Sequence, residues 1–342
     1  MNPSPNIAFK PERISYAFIA LALVLVGWLN LTVLILTGLF GYFALEKLAI
    51  RDRKWIAVTL FVLLLVTAGF GFYSFFHTAV KAVPAIAQES IPKILSYAQS
   101  KGVQLPLTDY ASLQADALNF VGDIKNVGKY GGYAGALLRH LVAFMIGVVV
   151  AISLFLNTRV EPDADPETGR DNLYSQTFLE VVARFRTFYQ SFKTVMGAQI
   201  IISLINSMLT AIFLIWNAFP YSPVLAGLTF LLGLLPIVGN LMSNTLIVSV
   251  GFTISPEMAF FALMFLVVIH KGEYFLNSKI IGDRIKNPMW LTLLGLLIGE
   301  KLMGIPGMIL APVVLHYIKV EASRSRLSAS HANTHTPGPV AA

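Results

Sequence analysis

The chain has no cysteine. Disulfides, thiolate nucleophiles and Cys-ligated metals are therefore excluded. Charge is also scarce: Asp, Glu, Lys and Arg make up 13% of residues, about half the share of a soluble domain. Hydrophobic residues reach 56% and the mean hydropathy is +0.70. So apolar a chain cannot hide its surface around one water-facing core. The formal charge of +7 is not organised for nucleic acid, because no basic run interleaves with aromatics. No nucleophile elbow, HExxH, phosphate loop or nucleotide cassette is present. That argues against an enzyme and an ATP-driven pump, and gives no reason to expect a cofactor or a metal.

Long uncharged runs are what the chain does have. A helix crossing hydrocarbon needs roughly 20 apolar residues. Ile56 to Phe76 is such a run, and Val195 to Gly251 carries no charge at all. The fold class is an all-α polytopic membrane protein. Ile14 to Val26 could pass for a signal-peptide core, but no small-residue cleavage site follows, so it reads as a retained first span.

Residues 1–13 form a polar N-terminal tail, and 14–76 carry N-terminal transmembrane helices. As one helix, 14–48 would be ~50 Å long, so Asn30, after Gly27, divides it into two spans. Lys47, Arg51, Arg53 and Lys54 then form the densest basic cluster, which the positive-inside rule places in the cytoplasm with the N-terminus. Residues 77–136 read as an extracytoplasmic helical segment punctuated by Pro84, Pro92 and Pro106. A span follows at 137–158, then a cytoplasmic acidic loop and amphipathic helix at 159–193. Residues 194–319 are expected to form the transport core, and 320–342 a disordered cytoplasmic tail.

Two apolar runs are interrupted midway, at Leu235-Pro236-Ile-Val-Gly239-Asn240 and at Gly299-Glu300-Lys301-Leu-Met-Gly304-Ile-Pro306-Gly307. Read as full spans, they put the basic 271–287 loop outside, against the positive-inside rule. Read as re-entrant hairpins, they restore the rule, and each arm of ~18 Å falls short of a ~30 Å core. The expectation is about five to six full spans plus two broken hairpins. The sequence allows an inverted repeat, with Leu231–Leu235 recurring at Leu293–Leu297 and Leu241-Met242 at Leu302-Met303.

A break at mid-depth leaves peptide groups without partners, which lipid cannot supply. The tips are thus the candidate substrate site: Pro236, Gly239, Asn240, Asn244, Gly299, Glu300, Gly304 and Gly307. Candidate ion-coupling residues are Glu300 and Lys301, costly in an apolar run, with Glu273 and His270 at the end of the preceding span. His140 and His316 read as interfacial or packing residues.

The ordered set Leu234-Leu-Pro-Ile-Val-Gly239-Asn240, Ser278-Lys-Ile-Ile-Gly282, Asn287-Pro288 and Gly299-Glu-Lys-Leu-Met-Gly304-Ile-Pro-Gly307-Met-Ile-Leu-Ala-Pro312 resembles the autoinducer-2 exporter (AI-2E) family of bacterial permeases. The resemblance covers nearly the whole chain. It implies a multi-pass inner-membrane transporter with both termini cytoplasmic, and a homo-oligomer, with a pentamer as one form. Its partners are then the lipid bilayer and a small solute or cation, with no nucleic acid. Two residues depart from the pattern: Ser278 replaces a usual Pro, and Glu300 a frequent Gly. The first expectation is export of a small polar organic solute like autoinducer-2, by a gradient-driven or passive route between the two broken segments. The alternatives are a Na+(Li+)/H+ antiporter using Glu300, with Glu273 as a second carrier, or a non-transporting scaffold acting through the 77–139 segment.

Overall fold

In the computed structural model, the described residues are 11–50, 53–102, 132–157, 173–281 and 288–332. The acidic loop, the Gly-rich stretch around 128–131, Pro106 and the Gly282 to Asn287 part of the family motif lie outside them. The described residues are helical throughout their ordered elements. These are α1 (Pro11–Trp28), α2 (Thr32–Leu48), α3 (Lys54–Ser100), α4 (Gly132–Leu156), α5 (Leu173–Trp216), α6 (Ser222–Gly233), α7 (Val238–Ile254), α8 (Pro256–Ile281) and α9 (Met289–Ala332). Five of the helical segments are long and apolar enough to cross a membrane: Pro11–Trp28, Lys54–Ser100, Leu137–Leu156, Leu173–Trp216 and Met289–Ser323. Each of the four tryptophans, Trp28, Trp55, Trp216 and Trp290, stands within two residues of a helix end and is 65–85% exposed. That is where an amphipathic indole sits in a bilayer interface.

The turn after α1 falls at the expected residue. Asn30 has φ 54°, and the Leu31 and Asn30 amides donate to the carbonyls of Val26 and Gly27. This is the paired bonding of a left-handed helix end. The same arrangement ends α5, with Ala218 at φ 52° and Phe219 bonded back to Leu214.

Three helices run further than the sequence pattern suggests. The prolines expected to punctuate 77–136 do not break α3, which passes through Pro84 and Pro92. A mid-helix proline forfeits one backbone bond, but Pro84 is buried beside Ala82 and Ile86, so packing holds the helix. The amphipathic helix and the span after it are one element, α5. The chain from Val320, expected to be a tail, stays helical to Ala332, its start fixed by buried Glu321.

The structure divides into two compact units. The first comprises 1–46, 144–196 and 284–342. Its core joins Ile19, Leu36, Phe188, Phe192, Leu310, Val313 and Tyr317, with Phe40 edge-on to Phe192 at 4.9 Å. At its polar margin Arg184 meets Glu180 at 3.1 Å and Glu321 at 3.6 Å, its guanidinium lies 4.4 Å from the Tyr16 ring, and Tyr16 donates to Glu321 at 3.2 Å. Glu46 likewise accepts from Tyr189 at 2.5 Å and pairs with Lys193.

The second unit comprises 47–143 and 197–283. Its core joins Ile86, Phe213, Leu214, Phe219, Leu225, Ile247, Val250, Ala262 and Leu266, with Phe213 stacked on Phe265 at 4.0 Å. Among helices that share a solvent of oil, close packing and hydrogen bonds take over the role that hydrophobicity plays in water. Gly251 shows this: a Cβ there would lie 2.8 Å from Ala259 Cα.

Candidate transport site

Both interruptions are reversals of direction. In a continuous helix, residues 232 and 239 would be ~10 Å apart along the axis. Instead, a Cβ on Gly239 would lie 1.6 Å from the Leu232 carbonyl oxygen. In α9 a straight helix would hold 295 and 315 ~30 Å apart. Yet a Cβ on Gly295 would lie 2.9 Å from the Leu315 side chain, and one on Gly299 2.5 Å from the Gly307 oxygen. The arms of α9 are therefore 289–303 and 305–332, folded back at Gly304. Its φ 65° and ψ −152° belong to a region essentially reserved for glycine.

Proline explains each break. The Leu232 carbonyl needs the amide of residue 236, and the Leu302 carbonyl that of residue 306. Both are prolines and have no N–H. In the first hairpin, the four orphaned carbonyls at the end of α6 can all be traced. Leu231 and Leu232 accept from the amides of Leu234 and Leu235. Phe230 accepts from Ser203 Oγ and Gly233 from Gln199 Nε2, each at 2.5 Å. One turn earlier, Ser207 Oγ donates to Ala226 at 2.8 Å. The four-residue link from α6 to α7, 234–237, ends in a tight turn in which the Val238 amide reaches the Pro236 carbonyl at 2.7 Å. Ile237, at its centre, has φ 65° and ψ −62°, a strained geometry for a β-branched residue.

Immediately past this turn Asn240 projects onto α8. Its Nδ2 donates to both carboxylate oxygens of Glu273, at 3.0 and 2.8 Å. Asn206, from α5, donates to Oε2 at 3.1 Å. His270, one turn earlier on α8, places Nδ1 3.6 Å from the same oxygen, with side chains 53% exposed for His270 and 11% for Glu273. Fourteen residues separate Asn240 from the end of α7, so the cluster lies ~21 Å from the base of the hairpin. Three expected residues, Asn240, Glu273 and His270, are thus brought to one place. Gly239 provides the close approach, Pro236 the break, and Asn244, half-buried, lies one turn further along α7.

The second tip is different in kind. Glu300 and Lys301 lie 3.6 Å apart with side chains 47% and 84% exposed. Gly299 and Gly307 serve contact between the arms, and Gly304 the reversal. Among the described residues, no group of three or more His, Cys, Asp or Glu is gathered that could hold a metal.

Asn206 is absent from the sequence reading. Its signal is a polar stripe in an uncharged run: Gln199, Ser203, Asn206, Ser207 and Thr210 recur at helical spacing. Ser203, Asn206 and Thr210 are all buried.

A buried carboxylate held by neutral amides thus stands beside a helix reversal, in a chain of membrane-length helices. The description "AI-2E family transporter" matches residues 14–324. The chain belongs to the AI-2E transporter family. It is also similar, at 32% identity over 138 residues, to a Bacillus subtilis (strain 168) protein named "Putative transport protein YdbI". That match takes in 40% of this chain and 39% of the relative's length. AI-2E membership makes this a multi-pass membrane protein of transport type, and the Pro236 to Asn240 motif that carries the resemblance is the reversal beside Glu273.

Proposed function

We propose that this AI-2E transporter exports a small polar organic solute, of the autoinducer-2 kind, in exchange for protons carried on Glu273. One observation carries the reading: Glu273 is buried against two amides at a helix break. Inside a membrane, an ionisable group is expensive and is retained for work on a solute or ion. The amides of Asn240 and Asn206 can bind either the carboxylate or the hydroxyl and carbonyl groups of a polar solute. Protonation of Glu273 weakens its hold on those amides and frees them for cargo. Glu300, exposed beside Lys301, is a less suitable carrier because a basic neighbour already balances it.

A second reading, Na+(Li+)/H+ antiport, is favoured by a specific feature: the two residues donating to Glu273 are uncharged, leaving room for a cation in place of a proton. The reading places the chain in the bacterial inner membrane, with the Lys47 to Lys54 cluster and both termini in the cytoplasm, as a homo-oligomer. Flux of autoinducer-2 in proteoliposomes under an imposed pH gradient tests the first reading. Glu273→Gln and Asn240→Leu are expected to abolish it and Glu300→Gln to spare it. Sodium-dependent proton flux with no organic solute present would select the second reading, and flux that survives Glu273→Gln would remove both.

A further inference from the structure

We propose that His270 is the proton relay that loads and unloads Glu273. The inference rests on the proton-coupled reading above. Glu273 is sealed: amides from α5 and α7 occupy both of its oxygens, and the residue is 9% exposed. A proton arriving from bulk water meets little of this carboxylate. His270 has the geometry of an intermediary. Its side chain is half exposed, and its Nδ1 faces the same oxygen, Oε2, that Asn206 engages.

The separation of 3.6 Å is too long for a hydrogen bond. A swing of less than about 1 Å brings it to bonding range, and a side chain this exposed has room to make it. Imidazole is also the side chain suited to passing protons near neutrality. Its two nitrogens allow entry and exit at different atoms: Nε2 takes a proton from water or buffer, and Nδ1 gives its own to Oε2. The ring is left neutral with its hydrogen on Nε2, and exchange with water resets the tautomer. Unloading runs the same steps in reverse, so protons balance in each direction.

The side chains that face Glu273 from neighbouring helices, Asn206 and Asn240, do not titrate. On its own helix, His270 is the titratable group in contact, and Lys271 follows it with its side chain exposed.

The test uses the full chain in proteoliposomes with a trapped pH indicator and an imposed pH gradient, reading proton flux. His270→Gln is expected to slow flux about tenfold or more near pH 8, where free protons are scarce, with a smaller loss near pH 6. Added imidazole, at tens of millimolar, is expected to restore flux to His270→Gln and to leave Glu273→Gln inactive. Wild-type rates in His270→Gln at every pH, or a loss that imidazole does not repair, would overturn the relay. Wild-type flux no greater than that of Glu273→Gln would overturn the proton-coupled reading and the relay with it.

Discussion

Adding one methyl group at Gly239 should disable the carrier, while adding one at Gly272 should leave it working. At Gly239 the new Cβ would lie 1.6 Å from the Leu232 oxygen and 2.4 Å from its carbonyl carbon. Both obstacles are backbone, so no side chain can step aside. Reaching an ordinary contact of ~3.5 Å means opening the reversal by well over ~1 Å, and overpacking of this sort costs about 1–3 kcal/mol. The same movement pulls Asn240 off Glu273, and bonds to a charged acceptor contribute about 1.5–3 kcal/mol. A combined penalty of about 3 kcal/mol reduces the population of the intact site roughly a hundredfold. Flux should therefore fall to about one hundredth of wild type, while size-exclusion chromatography in detergent still shows a folded protein. Gly272 is the matched control, one residue from Glu273 and exposed. A Cβ there meets nothing within 4 Å. Gly272→Ala should transport normally and gain up to about 1 kcal/mol in helix stability. Wild-type flux in Gly239→Ala, or equal loss in both variants, would refute the reasoning.

Other expectations follow from the same geometry. Asn206→Leu removes one bond to the Glu273 carboxylate and should lower flux about tenfold; an unchanged rate would take Asn206 out of the site. Because the chain has no cysteine, single cysteines can report sidedness. Trp290→Cys and Ile318→Cys, at the base of the α9 arms, should react with an impermeant maleimide from the same side of the membrane. Labelling from opposite sides would dismantle the reversal at Gly304. Arg184→Ala removes the cation facing the buried carboxylate of Glu321, which keeps its bond from Tyr16, and should destabilise the protein by about 1.5–3 kcal/mol. Adding Glu321→Gln should recover part of that loss in thermal unfolding, and no recovery would show that the two side chains are not coupled.

Both breaks could be read in the sequence because the physics is local: a proline four residues after a carbonyl removes its donor, and glycines admit the turn. Asn240 and Glu273 were visible as polar groups in apolar surroundings. Their pairing was not, since 33 residues separate them, and only the folded hairpin brings α7 against α8. Asn206 was hidden because its run carries no charge and its partner lies 67 residues away. The short internal repeats misled in detail. Leu231–Leu235 runs into its reversal, whereas Leu293–Leu297 ends well before Gly304. Leu241-Met242 follows one turn, and Leu302-Met303 precedes the other. Pro84 and Pro92 read as punctuation, yet α3 runs through both: Pro84 is buried in packing, and Pro92 is exposed.

The inner arm of the first hairpin, α6, is fastened by side chains. Gln199, Ser203 and Ser207 reach its carbonyls from α5, so this edge is held by side chains and not by either helix's own backbone ladder. Where water cannot replace those donors, each carbonyl released costs several kcal/mol. The inner arm is thus anchored to α5 for as long as nothing polar reaches those carbonyls.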